Sequence, residues 1–151
     1  MKIYISSDVK KHLPDYINLS PCDSNDIFRM ITFEDLQSII CDAEAMDIIV
    51  DHALCYVEAS KIIDTLQLVI SKLHHGGKLT ICDMDLEEAI RLYSEYKMTL
   101  GEFNGCIHGF KYIKKSSFSQ KTIVDILKQY GLKILKRRYN ETEFVVEAIR
   151  P

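Results

Sequence analysis

The chain has 151 residues, of which 47% are hydrophobic and 27% charged, and it carries a net charge of −3. This composition predicts one globular domain, residues 1–151, and excludes a disordered tail, a collagen-like repeat and a coiled coil. No apolar run approaches the roughly 20 residues of a membrane span, and Asp8 interrupts the short apolar start where a signal peptide would continue. No membrane association is therefore expected.

Five cysteines are widely spaced along the chain, with no C-x-x-C pair. Because they lie in apolar stretches, they are interpreted as small core residues of a protein in a reducing compartment. This interpretation predicts a cytoplasmic location and no metal site. The cysteines are Cys22, Cys41, Cys55, Cys82 and Cys106.

The charge is unevenly distributed. Residues 1–64 contain 12 acidic and 5 basic side chains, whereas residues 111–138 contain nine Lys or Arg and one acidic residue, Asp125. A basic segment can attract phosphate or an acidic partner, or it can be the solvated side of a helix and an edge strand. The overall acidity and the absence of interleaved aromatic residues argue against nucleic-acid binding.

Short apolar runs in the first fifty residues predict strands. The segment 47–50 is β-branched and bounded by charge, as a buried parallel strand is. The predicted elements here are strands at 2–5, 15–19 and 47–50, a weaker strand at 26–31 and a turn of helix at 33–39.

A helix is predicted from Glu58 to Leu73, because apolar residues recur there at helical spacing. Gly76 and Gly77 are expected to end this helix and to open a strand at 78–82. The predicted apolar face comprises Ile62, Ile63, Leu66, Val69, Ile70 and Leu73.

Two further helices are predicted from their caps. Asp85 is a good N-cap, with Glu88 completing a capping-box pattern, and Ser119 caps a helix that Gly131 ends. Between them, residues 97–118 contain three glycines and are interpreted as an irregular insertion or lid.

Two strands close the sequence, at 132–138 and 144–149. The turn between them is too short for a parallel crossover, so they are expected to pair antiparallel. Strands that alternate with helices and end in a hairpin predict an open α/β sheet, parallel for most of its width.

Four segments after residue 45 carry motifs of a known family. Met46–Leu54 is similar to a fourth strand and its following turn, and Leu73–Ile81 to an L-K-P-G-G-x-L-x-I turn. Phe118–Gly131 is similar to the family's next helix, and Glu143–Pro151 to its last strand. In order and spacing these segments resemble the class I S-adenosylmethionine-dependent methyltransferases, type 11 in particular. The resemblance implies a Rossmann-like open seven-stranded sheet with helices on both faces and a C-terminal antiparallel hairpin.

The first 45 residues fit the same template but depart from its cofactor motifs. No glycine stands in the loop after the first strand, where the family's glycines let the backbone approach S-adenosylmethionine. Ser20 stands in place of a carboxylate that binds the cofactor ribose, and Met30 aligns roughly with one near the adenine. The resemblance implies S-adenosylmethionine binding that is weak or absent. The implied cofactor-binding residues are Ser6, Ser7, Asp8, Ser20 and Met30.

Two histidines are the candidate catalytic residues. His52 is expected at the carboxyl end of the fourth strand, where its imidazole can act as a general base or cap the following turn. His108 aligns with a turn near the acceptor pocket of relatives. Asp83 is expected at the same edge as His52, facing a ligand.

Two functions from different classes follow. The first is a methyltransferase-family protein that retains weak methyl transfer to an unknown acceptor, or binds an altered nucleotide-like ligand, through a degenerate cofactor site. The second is a catalytically inactive interaction module that binds a protein partner, or a second copy of itself, through the sheet edge or residues 111–138. The residues expected to converge at the carboxyl ends of strands one to four are Ser6, Ser7, Asp8, Ser20, Met30 and His52.

Overall fold

A computed structural model describes residues 1–151 as a seven-stranded sheet with five α-helices. The strands are β1 (Lys2–Ser6), β2 (Ile17–Ser20), β3 (Arg29–Met30), β4 (Ala45–Asp51), β5 (Leu73–Met84), β6 (Lys133–Asn140) and β7 (Glu143–Ile149). The helices are α1 (Leu36–Ile39), α2 (Ile62–Lys72), α3 (Leu86–Ser94), α4 (Leu100–His108) and α5 (Gln120–Gln129).

The strands lie in the order β3-β2-β1-β4-β5-β7-β6. The first five are parallel to their neighbours, and β7 pairs antiparallel with both β5 and β6. This arrangement confirms the predicted Rossmann-like sheet and its antiparallel hairpin. The loops that follow the five parallel strands all lie at one edge of the sheet, which is called the carboxyl edge below.

The hydrophobic core lies on one face of the sheet, under α1, α2 and α5. Strand residues such as Ile48, Ile81 and Val146 are completely buried there. Ile63 departs from the predicted apolar face of α2, since it is 50% exposed at the margin of the buried stripe.

The opposite face of the sheet is covered unevenly. Residues 7–16 and 21–28 contain no helix, and Phe28 from the second segment packs on Tyr4 with ring centroids 6.1 Å apart. The helices expected on both faces are therefore concentrated on one, because these two connections are shorter than the dozen residues of a helical crossover. Beyond β1 this face carries half-buried polar residues, which include Asp47, Thr80 and Glu147.

Gly76 and Gly77 do not end α2, as was predicted. The helix ends at Lys72, and β5 runs through both glycines. A Cβ at Gly77 would lie 2.8 Å from the carbonyl oxygen of His74 and 3.0 Å from that of Ala45. Gly77 is therefore required by the close approach of β5 and β4, and not by a helix terminus.

The prediction of an irregular segment at 97–118 is wrong for its first half, where α4 lies. Thr99 Oγ1 accepts a hydrogen bond from Glu102 N, and the Glu102 carboxylate accepts one from Thr99 N. This capping box starts a helix despite the glycines within it. Gly109, with φ at +90°, ends the helix.

The predicted caps of α3 and α5 are confirmed. Asp85 accepts a hydrogen bond from Glu88 N at 2.9 Å, and Ser119 accepts one from Thr122 N at 3.3 Å. The Glu88 side chain binds Arg91 instead of completing a capping box.

The cysteines are all free. Cys55 and Cys106 are buried as predicted, but Cys41 is exposed and Cys22 and Cys82 are half-buried, because they lie in loops or on the polar face of the sheet. None of the helices combines the length and the apolarity that crossing a bilayer requires.

Candidate functional site

A cleft of about 1030 Å³ opens at the carboxyl edge. The ends of β1, β4 and β5 and the turn between β6 and β7 form its floor. Its walls are residues 7–11 on one side and the α3–α4 pair on the other, joined by a strap that we define as residues 109–114. Small-molecule pockets measure about 300–1,000 Å³, so the cleft can hold a nucleotide-sized ligand.

His52 lies in the floor of this cleft among carboxylates. Its Nδ1 donates to Asp51 Oδ1 at 2.6 Å, and its Nε2 lies 3.1 Å from Glu143 Oε1 in an ion pair without good hydrogen-bond geometry. The Tyr4 hydroxyl donates to the other Asp51 oxygen at 2.7 Å. The His52 backbone is left-handed, with φ at 48°, which is uncommon for residues other than glycine.

These neighbours determine the charge of His52. Burial lowers its pKa, but the contacts with Asp51 and Glu143 and the negative field of Asp83 outweigh burial and raise the pKa to about 10. For Asp51, burial raises the pKa, and the hydrogen bonds from His52 and Tyr4 more than reverse this effect. At neutral pH the cluster is an imidazolium among carboxylates, which holds its proton instead of accepting another. The catalytic role of His52 stays a prediction.

Asp83 lies beneath this cluster and is 1% exposed. It accepts hydrogen bonds from Met84 N at 2.8 Å and from Cys55 N at 3.3 Å. Burial raises its pKa, and the positive charges of His52 and Lys114 offset only part of that effect. Asp83 is outside the lining of the large cleft and faces a separate cavity of about 10 Å³.

The loop after β1 brings Ser6, Ser7 and Asp8 to the cleft, as predicted. Ser6 Oγ accepts a hydrogen bond from Asp8 N at 3.1 Å, and Asp8 Oδ1 accepts one from Lys10 N at 3.0 Å. These side chains therefore stabilise the turn of their own loop. Lys10 and Lys11 follow with exposed side chains on the same wall.

Ser20 and Met30 end β2 and β3 at the carboxyl edge, but neither lines the cleft. Ser20 is completely buried, and its Oγ accepts hydrogen bonds from Cys22 N at 3.2 Å and Asp23 N at 3.4 Å. Met30 is 58% exposed. All six residues therefore lie at or just after the carboxyl ends of β1 to β4, as predicted, but only the loop after β1 and His52 line the cleft.

At the ends of β2 and β3, the two residues predicted to bind the cofactor have few free hydrogen-bonding groups. The Ser20 hydroxyl is occupied by its own loop, and the Met30 side chain offers no hydrogen-bond acceptor of useful strength. The Asp23 carboxylate follows β2, but it accepts hydrogen bonds from Tyr112 and from Ser24 N, and the loop after β1 carries a Cβ at every position.

The strap connects the end of α4 to the loop after β2. The Tyr112 hydroxyl donates to Asp23 Oδ2 at 2.8 Å, and the Tyr112 ring packs edge-on against Tyr56 with centroids 6.1 Å apart. Tyr112 therefore holds the strap against the segment after β2 and the segment after β4, the two strands that flank β1.

Phe110 presents an aromatic ring to the cleft. It is 77% exposed, and its ring lies on Gly105 of α4, where a Cβ would come within 2.1 Å of the ring. Gly105 thus provides the space in which this ring is seated.

Two other predicted regions are placed differently. His108 ends α4 with an exposed side chain that does not line the cleft, so it is not brought together with His52. Residues 111–138 are divided among the strap, α5 and the edge strand β6, so whether their basic side chains share one surface stays a prediction.

The sequence analysis missed Tyr4, Glu143 and Phe110 as residues of the cleft region. Tyr4 lies within the predicted first strand, and the hydroxyl of a buried tyrosine usually has a hydrogen-bond partner, so the sequence could have indicated a polar contact there. Glu143 had no local signal, since it reaches His52 only through the strand order β4-β5-β7.

Comparisons with known proteins agree with this fold. No family model matches the sequence, and a search of curated proteins finds no match. Solved structures do match, and they include S-adenosylmethionine-dependent methyltransferases. The chain has the class I methyltransferase fold.

Three of the similar structures illustrate the extent of the match. A protein from Pyrococcus horikoshii is 11% identical with a TM-score of 0.69, over 99% of this chain and 82% of its own. A complex of the Haloferax volcanii Trm112 methyltransferase activator with a candidate methyltransferase matches at 12% identity and a TM-score of 0.63. This match covers 99% of this chain and 82% of the other chain. A SAM-dependent methyltransferase from Archaeoglobus fulgidus matches at 13% identity and a TM-score of 0.57, over 87% of this chain and 75% of its own.

The similarity does not extend to whole proteins in every case. The chain spans only 35% of the length of an O-methyltransferase family protein from Burkholderia thailandensis that it matches. At these identities the comparisons show the fold alone.

Proposed function

We propose that this chain is a binding protein built on the methyltransferase fold, whose cleft takes up S-adenosylmethionine much more weakly than an intact cofactor site would. The buried Ser20 carries this proposal. Its hydroxyl is used within its own loop, so the end of β2 offers no acceptor to a ribose.

The lost hydrogen bonds account for a large change in affinity. A charge-assisted hydrogen bond contributes about 1.5–3 kcal/mol, and each 1.4 kcal/mol is a factor of about ten in affinity. The ribose contact alone therefore weakens binding by about one to two decades. Lys10 and Lys11 add to the effect, because S-adenosylmethionine carries a net positive charge and these lysines line the same cleft.

Calorimetric titration with S-adenosylmethionine and S-adenosylhomocysteine tests the proposal. We expect no binding in the micromolar range by the unmodified chain, and stronger binding by the double variant Asp8→Gly/Ser20→Asp. Ser60→Asp, the same change at an exposed serine outside the cleft, is the matched control and should not bind. Circular dichroism verifies that each variant is folded. Micromolar binding by the unmodified chain would contradict the proposal and favour an ordinary methyltransferase.

Slow methyl transfer to an acceptor in the same cleft is a second candidate. It is favoured by the size of the cleft, and it would require a proton acceptor other than the protonated His52 described above. The test incubates the protein with methyl-labelled S-adenosylmethionine and mixed small-molecule acceptors. Label transferred to an acceptor, with release of S-adenosylhomocysteine, would support this function. Loss of the transfer in His52→Asn would show that His52 is needed for it.

A protein partner is a third candidate, favoured by the exposed edge strand β6 and its four basic residues. One structural neighbour is a methyltransferase bound to an activator protein. An edge strand with exposed backbone groups is a common place for such a partner to pair.

A further inference from the structure

Four lysines line the cleft, two in the loop after β1 and two in the strap. Lys111 lies 3.8 Å from Asp23, and Lys114 donates to the carbonyl oxygen of Cys106 at 3.0 Å. The other two are Lys10 and Lys11, which form no ion pair. This group is called the lysine wall below.

Most carboxylates of the cleft are already engaged elsewhere. Asp51 and Glu143 face His52, Asp8 accepts from a backbone amide of its own loop, and Glu102 caps α4. Only Glu141, at the hairpin turn, has no such partner. Within the lysine wall, Lys10 and Lys11 form no ion pair, so their ammonium groups can still contact an anion that enters the cleft.

On the opposite wall the basic side chains are neutralised. Arg91 contacts Glu88 and Glu95 at 2.8 and 2.9 Å, and Lys97 contacts Glu95 at 2.8 Å. An anion that enters the cleft is therefore attracted to the lysine wall and not to α3.

Phe110 adds a second, independent feature to the lysine wall. Its ring packs on Gly105, most of its surface is exposed, and it lines the cleft, so another planar ring can stack on it. A cleft that is lined by both an aromatic face and lysines without ion pairs is suited to a planar ring that carries an anionic group.

We propose that the cleft binds a planar ring bearing a phosphate, with the phosphate on Lys10 and Lys11 and the ring on Phe110. The inference rests on the proposed binding function and specifies its ligand class. It also explains why the loop after β1, which lacks glycine, can still serve a ligand: long side chains contact the anion, so the backbone need not approach it.

Three probes separate the ring from the charge. Calorimetric titrations of the full chain use adenosine monophosphate, adenosine and inorganic phosphate. We expect adenosine monophosphate to bind, each of the other two to bind at least about tenfold more weakly, and the binding to weaken as salt is added. No binding of adenosine monophosphate at millimolar concentration, or equal binding of adenosine, would overturn the proposal.

Variants assign the contacts. Lys10→Ala/Lys11→Ala and Phe110→Ala should each weaken adenosine monophosphate binding by about tenfold. Lys133→Ala/Lys136→Ala, the same charge change on β6 outside the cleft, should leave it unchanged. Because all five side chains are exposed, folding is expected to persist, and thermal melts check it. Equal affinity of Lys10→Ala/Lys11→Ala and the unmodified chain would overturn the proposal.

The two proposals fail separately. Micromolar binding of S-adenosylmethionine would contradict the proposed function whatever adenosine monophosphate does. Failure of adenosine monophosphate to bind, with S-adenosylmethionine also weak, would overturn only the ligand class.

Discussion

The charge of His52 is set by one neighbouring carboxylate and by two carboxylates from later parts of the chain. Asp51 precedes it, Asp83 lies beneath it and Glu143 arrives from the terminal hairpin. Their combined field outweighs the cost of burying a cation, so the imidazole stays protonated well above neutral pH. The sequence suggests His52 as a general base, whereas its carboxylate neighbours keep its imidazole protonated and positively charged at neutral pH.

We expect His52→Asn to reduce the free energy of unfolding, with a pH dependence that identifies the cause. Asparagine tolerates a left-handed backbone, so the φ of 48° adds little further strain. The pKa of about 10 in the folded protein exceeds the 6.5 of a free imidazole. The contribution of His52 is therefore fully present below about pH 6.5 and is lost as the pH rises through about 10.

Urea unfolding of both proteins between pH 6 and pH 10 measures this difference. The gap in stability should narrow as the pH increases. His12→Asn, at an exposed loop position, is the control and should show little gap at any pH. A gap that is independent of pH would contradict the imidazolium assignment.

At the scale of elements, α4 depends on glycines in two different ways. Gly105 is required by the ring of Phe110, whereas a Cβ at Gly101 would meet only Thr99 Oγ1 at 3.9 Å. The same substitution at these two positions of one helix therefore separates helix propensity from packing.

We expect Gly101→Ala to stabilise the protein by up to about 1 kcal/mol, because alanine is a better helix former than glycine. Gly105→Ala should lose that gain, since its Cβ would displace the Phe110 ring. Thermal unfolding of both variants provides the comparison. Equal stabilisation by the two changes would show that the ring moves without cost.

The sequence predicted most elements but not their bounds. Alternating apolar and polar residues in β5 and β7 marked strands, and Asp85 and Ser119 marked helix starts. The capping box of Thr99 and Glu102 is a further sequence signal for a helix start, but the three glycines of residues 97–118 led to the prediction of an irregular segment. The role of Gly77 could not be read, because it depends on the neighbouring strand β4.

At the scale of the whole molecule, the acidic first half and the basic β6 edge lie at different ends of the sheet. Like charges along β6 oppose pairing of two identical edges. Contacts between the acidic part of one copy and the basic part of another, or with an acidic partner, remain favourable. Residues 1–45, which the resemblance assigns to cofactor binding, were the least predictable part of the molecule. The Ser20 hydroxyl, for example, is occupied by hydrogen bonds within residues 20–23 that the sequence pattern does not reveal.

We expect association of the chain to be salt-dependent. Light scattering at low and high ionic strength should give a larger average mass at low salt, because salt screens contacts between exposed charges. Lys133→Glu/Lys136→Glu should remove the difference. A mass that exceeds the monomer and ignores salt would indicate an apolar interface instead.

The position of β7 between β5 and β6 has a consequence for local opening of the protein. β6 touches the sheet only through β7, whose Phe144, Val146 and Ala148 are fully buried. A fluctuation that separates β7 from β5 must therefore release both strands at once, as one cooperative unit. In native-state hydrogen exchange, the amides that join β7 to β6 should therefore open at no higher free energy than those that join β7 to β5, while the two-residue strand β3 at the far edge exchanges independently and faster.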